Sequence, residues 1–225
     1  MSGINLLKVL IIFSTLSAPE SSYSTQHTLK NTSDRVLERR IGDVKTTQVA
    51  VTDALANALS TTRVSGGIIK AGSDKGEVRR LMVSGPRLRD LLEAITQASP
   101  QYRWEFNDGV VNLVDSSMPP LLDMHIVEFD AIGVKSAHEA LYQLLERPDV
   151  KERVAHLKLN TGLKITTGGI AMPRNTEQQF NVRCRNATLR EVLNAIVREQ
   201  GHGVWLYRET HWDKHHGFEI EMIVP

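Results

Sequence analysis

The chain has 225 residues, a net charge of +1 and 24% charged residues, so it lacks the basic footprint that bulk nucleic-acid binding requires. Its single cysteine, Cys184, excludes an intramolecular disulfide framework. No run reaches the roughly 18 consecutive apolar residues of a membrane-spanning helix, and a hydrophobic share of 41% can supply modest cores.

In chain order, residues 1–24 read as an export signal. Lys8 precedes the apolar run Val9–Phe13, small residues continue to Ala18, and Ser22 and Ser24 stand two apart, as signal peptidase prefers. Residues 25–46 are polar without a sustained period and read as a flexible leader, with a short helix over Asp34–Arg40. Asn31-Thr32-Ser33 and Asn186-Ala187-Thr188 match the glycosylation acceptor pattern, but the second is better explained as a helix cap.

Residues 47–115 form a first unit. Val51, Ala54, Leu55, Ala58 and Leu59 make one helical stripe. Gly66-Gly67 reads as a turn and Ile68–Lys70 as a short strand. A turn with Gly72 and Gly76 leads to a strand around Arg80–Ser84. Pro86 suits the first turn of a helix carrying Leu88, Leu91, Leu92 and Ile95, which Pro100 stops. Tyr102, Trp104 and Phe106 alternate on a strand, Asn107-Asp108-Gly109 turns it, and Val110–Val114 returns.

Residues 116–123, with Pro119-Pro120, read as a stiff linker. Residues 124–225 form a second unit, opening with a strand over His125–Phe129. Ser136 and Glu139 match a capping box ahead of a helix that carries Ala137, Ala140, Leu141, Leu144 and Leu145 and ends at Pro148. Thr167-Gly168-Gly169-Ile170 echoes Ser65-Gly66-Gly67-Ile68. An insertion near 149–163 separates it from the helix. Phe180, Val182 and Cys184 alternate with polar residues, which turns Cys184 toward the core. Thr188 and Glu191 form a second capping box. Val204–Tyr207 and Phe218–Val224 close the unit as strands.

The two units share a segment. Arg87–Trp104 and Thr188–Trp205 align without a gap: Leu88, Arg89, Leu92, Ala94, Ile95 and Trp104 meet Leu189, Arg190, Leu193, Ala195, Ile196 and Trp205. The expected fold class is α+β, two tandem β-α-β-β-α-β-β domains, each with two helices packed on small sheets. The matched tryptophans should hold equivalent positions against the closing helix.

The spacing L-R-(D/E)-x-L-x-A-I, with two short amphipathic helices and a Gly-bearing hairpin between them, resembles the secretin and TonB receptor short amino-terminal domain. The resemblance is best over Val83–Val114 and Val182–Tyr207. It implies protein–protein contacts in the cell envelope and no catalytic residues. The chain departs from the family where no barrel or secretin channel follows, and where Ser99-Pro100 stands in place of a helix-ending glycine.

Catalytic motifs are missing. His138-Glu139-Ala140-Leu141-Tyr142 opens like a zinc helix, but Tyr142 stands where the second histidine belongs. No nucleophile elbow or phosphate loop occurs. Cys184 beside arginines is a weak nucleophile candidate. His211, Asp213 and His215 in a loop up to Gly217 could supply metal donors, which gives the alternative of a metal-binding protein or metal-dependent enzyme using His211–His216. The expectation is a non-enzymatic periplasmic or secreted adaptor, without catalytic, cofactor or metal residues, that meets an envelope protein or its own copies through sheet edges. Recognition is expected in the second unit, where the insertion and the histidine loop depart from the shared scaffold.

Overall fold

The computed structural model describes residues 35–46, 50–71, 81–161, 179–212 and 215–224. The chain is mixed α+β. Its first half runs β1 (Val44–Thr46), α1 (Val51–Thr62), β2 (Gly66–Lys70), β3 (Leu81–Val83), α2 (Leu88–Ala98), β4 (Tyr102–Asn107) and β5 (Val110–Asp115). The second half runs β6 (His125–Val134), α3 (Ala137–Leu145), α4 (Pro148–His156), β7 (Asn160–Thr161), β8 (Phe180–Thr188), α5 (Leu189–Glu199), β9 (Val204–Trp212) and β10 (His215–Ile223). Helix α4 lies within the insertion, and Pro148 starts it as its first helical residue rather than simply ending α3.

One six-stranded sheet, ordered β4-β5-β2-β9-β10-β7, runs through both halves. Two small antiparallel sheets, β1-β3 and β6-β8, stand apart from it. Each half repeats the same pairings. Strands β4 and β5 are antiparallel with β2 parallel to β5, and β9 and β10 are antiparallel with β7 parallel to β10. The halves join where β2 runs parallel to β9, Gly66 to Lys70 facing Val204 to Arg208.

Both faces of this sheet are buried. Val204 and Leu206 belong to one core with Leu55, Leu59, Leu91 and Ile95 of α1 and α2. Trp205 and Tyr207, the residues between and after them, belong to a second core with Leu141, Leu144, Leu193 and Ile196 of α3 and α5. The helices of the first half therefore cover one face and those of the second half the other. Strand β5 is buried along its whole length, which accounts for the apolar run Val110–Val114, interrupted only by Asn112.

Several expectations are corrected. Gly66 and Gly67 are strand residues. A Cβ on Gly66 would lie 2.5 Å from Leu59 Cδ1, and one on Gly67 would lie 2.3 Å from the Trp205 ring and 2.5 Å from Asn112 Oδ1. The glycines are required because two packed layers close on β2, not because the chain turns there. The leader does not extend to residue 46. Leu37 and Ile41 are buried in the first core, and the Ile41 N–H donates to the Pro86 carbonyl. Pro86 precedes the helix cap Arg87 instead of entering the first turn of α2. Residues 116–123 are docked rather than free, since Leu121 and Leu122 are fully buried and the Arg190 N–H donates to the Leu122 carbonyl. The export signal over 1–24 and the Gly72, Gly76 and Gly168-Gly169 turns lie outside the described residues.

The repeated segment shows what position in a sheet does to identical residues. Trp104 faces Leu113 in the β4–β5 pair, and Trp205 faces Met222 in the β9–β10 pair. Trp205 lies on a strand flanked on both sides and is fully buried, while Trp104 lies on the outermost strand and is half-buried. Trp205→Ala is expected to cost about 3–5 kcal/mol and Trp104→Ala clearly less, measured by urea unfolding. Equal losses would contradict this assignment. Gly67→Ala is expected to cost at least about 2–3 kcal/mol, because the new methyl meets a buried indole ring that cannot withdraw. An unchanged unfolding midpoint would show that β2 is not pinched as described.

Candidate functional site

The residues singled out in the sequence are dispersed. His211 and Trp212 belong to β9, and His215 to Gly217 belong to β10, so the expected histidine loop is instead the end of a long hairpin. The strands continue because residues 204–212 pair residue by residue with 215–223. His211 and His216 face each other across this pair, as do Trp212 and His215. Asp213 lies outside the described residues.

His216 Nε2 stands 3.2 Å from Glu209 Oε2, and the Tyr207 hydroxyl donates to Glu209 Oε1 at 2.6 Å. Glu209 is thus a nearly buried carboxylate held between a phenol and an imidazole. Burial, reinforced by the adjacent Glu209 carboxylate, pushes the Tyr207 hydroxyl well above its usual range, so it acts as a fixed donor. The three side chains fasten the hairpin across its strands.

Cys184 is partly buried against the second core, and burial raises its thiol above the ordinary value despite nearby Arg198. That is the opposite of activation. His138 lies in the first turn of α3. Ser136 caps this helix by accepting from the Glu139 N–H, while the Glu139 carboxylate accepts from the Lys135 N–H, one residue before the reciprocal position of a capping box. Thr188 and Glu191 complete the full box at α5, with the Asn186 backbone in the left-handed region just before it.

Polar side chains tie the halves together. Within the second half the Trp205 indole N–H donates to Asn194 Oδ1 at 2.8 Å, and between the halves Ser65 Oγ donates to the Val197 carbonyl at 3.1 Å. Arg190 of α5 pairs with Glu105 of β4. Arg208 reaches Asp53 of α1 at 3.5 Å and Glu221 at 3.4 Å. Burial raises the Glu221 carboxyl, with Arg208 pulling the other way. Among the described residues, no group of His, Cys, Asp and Glu is placed to hold a metal ion.

What remains open is backbone. Among the described residues, β4 has no strand on its outer side, and β6 and β8 pair only with each other. Val127 and Ile132 of β6 are 71% and 54% exposed, and Tyr142 of α3 is 55% exposed. Beside them Arg185 forms a surface ladder with Glu128 at 2.7 Å and Asp130 at 2.9 Å. Its guanidinium holds the Asp130 carboxyl below the usual range. This surface was not singled out in the sequence, although the breaks in apolar alternation at Val127 and Ile132 were visible there. No helix among the described residues is long and apolar enough to cross a membrane. No protein-family model, no curated protein and no solved structure matches the chain.

His138 yields a pH prediction. Burial lowers its imidazole below the ordinary value, partly offset by a hydrogen bond to the Met222 backbone, and Nε2 is buried without a partner. The folded chain therefore favours the neutral ring. That contribution is complete above the ordinary histidine value, about 6.5, and is lost as pH falls through the lower folded value. Thermal melts between pH 7 and 5 should show declining stability, with a shallower decline in His138→Leu. Parallel profiles for the two proteins would remove His138 as the cause.

Proposed function

We propose that this protein is an exported, non-enzymatic interaction module of the cell envelope, built from two copies of a fold like the secretin and TonB receptor short amino-terminal domain. The equivalent pairings of the two halves and the shared L-R-(D/E)-x-L-x-A-I segment support the duplication. The observation that carries the function is the β2–β9 contact. The chain joins its own halves by laying one strand edge against another, and it leaves further edges unpaired among the described residues. Edges of this kind offer backbone N–H and C=O groups that an extended segment of a partner can complete.

The edge best suited to a different protein is β6. It is ten residues long, its inner side chains are fixed on the second core, and Val127 and Ile132 project outward beside the Arg185 ladder. Strand addition there would gain backbone bonds from the edge and specificity from the two apolar side chains. A photo-crosslinking residue at Val127 or Ile132 should capture a defined partner in the envelope fraction, and Val127→Lys with Ile132→Lys should reduce that capture at least tenfold without loss of folding. Fractionation of the chain with the cytosol, or capture unaffected by the double change, would overturn this reading. The metal-binding alternative rests on the backbone register that pairs His211 with His216. Stoichiometric zinc or copper in the purified protein, lost on His211→Ala with His216→Ala, would favour it.

A further inference from the structure

We infer that two copies of this chain associate through β4, their edge strands pairing antiparallel about a two-fold axis at Trp104. The inference deepens the edge-pairing reading by naming a second copy of the chain as the occupant of one particular edge.

Strand β4 is the terminal strand of the six-stranded sheet. It runs in unbroken register from Tyr102 facing Asp115 to Asn107 facing Val110, with no bulge. Its sequence, Tyr-Arg-Trp-Glu-Phe-Asn, contains no proline and no lysine. Proline, lysine and a bulge, three devices that ordinarily protect a sheet edge from a second chain, are therefore missing from it.

The hairpin fixes which backbone groups face outward. Asp108 and Gly109 both have positive φ, 49° and 81°, which is the two-residue turn whose closing pair exchanges both hydrogen bonds. That pair is Asn107 and Val110, so Arg103, Glu105 and Asn107 direct their N–H and C=O groups toward β5. Those of Trp104 and Phe106 point away from the sheet. The Tyr102 N–H donates to the Ser99 carbonyl.

With Trp104 set opposite Trp104 of a second copy, these outward groups meet. The Trp104 N–H and C=O bond their symmetry equivalents. The same register places Tyr102 opposite Phe106 on the face where the tryptophans meet. On the opposite face it places Arg103 opposite Glu105, twice, at the positions where facing side chains approach most closely. A shift of one pair in either direction would set Arg103 against Arg103 or Glu105 against Glu105, so charge selects the register. Side-chain exposure agrees with this arrangement. Arg103 is exposed with no ion-pair partner among the described residues, and Glu105 meets Arg190 of its own chain while keeping 30% of its side chain open. Trp104 and Phe106 are only partly buried at the margin of the first core, where a neighbouring sheet would cover them.

Sedimentation of the purified full chain tests the inference. The wild type should form a dimer. Arg103→Glu and Glu105→Arg should each weaken dimerisation about tenfold or more, because like charges then face each other at both sites. An equimolar mixture of the two variants should dimerise again, since every facing pair is then opposite in sign. Circular dichroism checks folding. Arg103→Glu alters only an exposed side chain, so it remains decisive if Glu105→Arg, which also loses Arg190, fails to fold. A wild type that stays monomeric at its highest soluble concentration would overturn the inference, as would a dimer indifferent to Arg103→Glu or a mixture of folded variants that stays monomeric. Crosslinking at Val127 and Ile132 does not involve β4. Loss of this inference with those crosslinks retained leaves the envelope reading standing, and a β4 dimer without them does the reverse.

Discussion

The parallel contact between β2 and β9 is the constraint on which the rest of the structure depends. It makes one sheet of two halves and so settles which surfaces are inside. Ile69, Val110 and Val114 of the first half are covered by the helices of the second, and Val204 and Leu206 of the second half are covered by the helices of the first. Neither half closes both faces of its own strands. Separating them would return those side chains to water at a cost of roughly 25 cal/mol for each Å² exposed.

That contact also explains where polar side chains are used. Gly66 and Gly67 let β2 sit between packed layers, and the space beside Gly67 is filled by Trp205 and Asn112. A buried indole needs an acceptor, and Asn194 supplies it from the helix of the same half. Asn112 is fully buried with neither amide atom hydrogen-bonded among the described residues, a cost borne at the point where the halves meet. At the sheet margins the solution differs. Arg190 with Glu105, and Arg208 with Asp53, bridge the halves where water still reaches. Such partly exposed pairs fix orientation more than they add stability.

The halves share a scaffold and differ in their surroundings. The second half carries α4 and a nine-residue hairpin pair in β9 and β10, while the first has short β4 and β5 joined by a two-residue turn. In the second half the strand matching β4 is covered by β2, so its aromatic residues belong to a dry core. In the first half no strand among the described residues covers β4, and the same pattern of alternating aromatics lies at the end of the sheet. One sequence motif therefore serves as interior in one place and as accessible edge in the other.

Sequence alone determined the local elements. Helical stripes such as Val51, Leu55 and Leu59, the cap at Thr188, the turn at Asp108-Gly109 and the repeat ending in Trp104 and Trp205 depend on contacts within a few residues or on a period the chain displays directly. It also showed that Cys184 turns inward. Tertiary structure alone decided the rest, because each remaining feature depends on residues far apart in the chain. Gly66-Gly67 looks the same as a turn or as a strand until Leu59 and Trp205 are seen closing on it. Leu121 and Leu122 look like linker residues until the second core is assembled around them. The histidine segment reads as a loop because its polar residues lack apolar alternation, yet backbone pairing with the opposite strand holds it extended. The free edge of β4 belongs to no single stretch of sequence, since it exists only where the order of six strands ends.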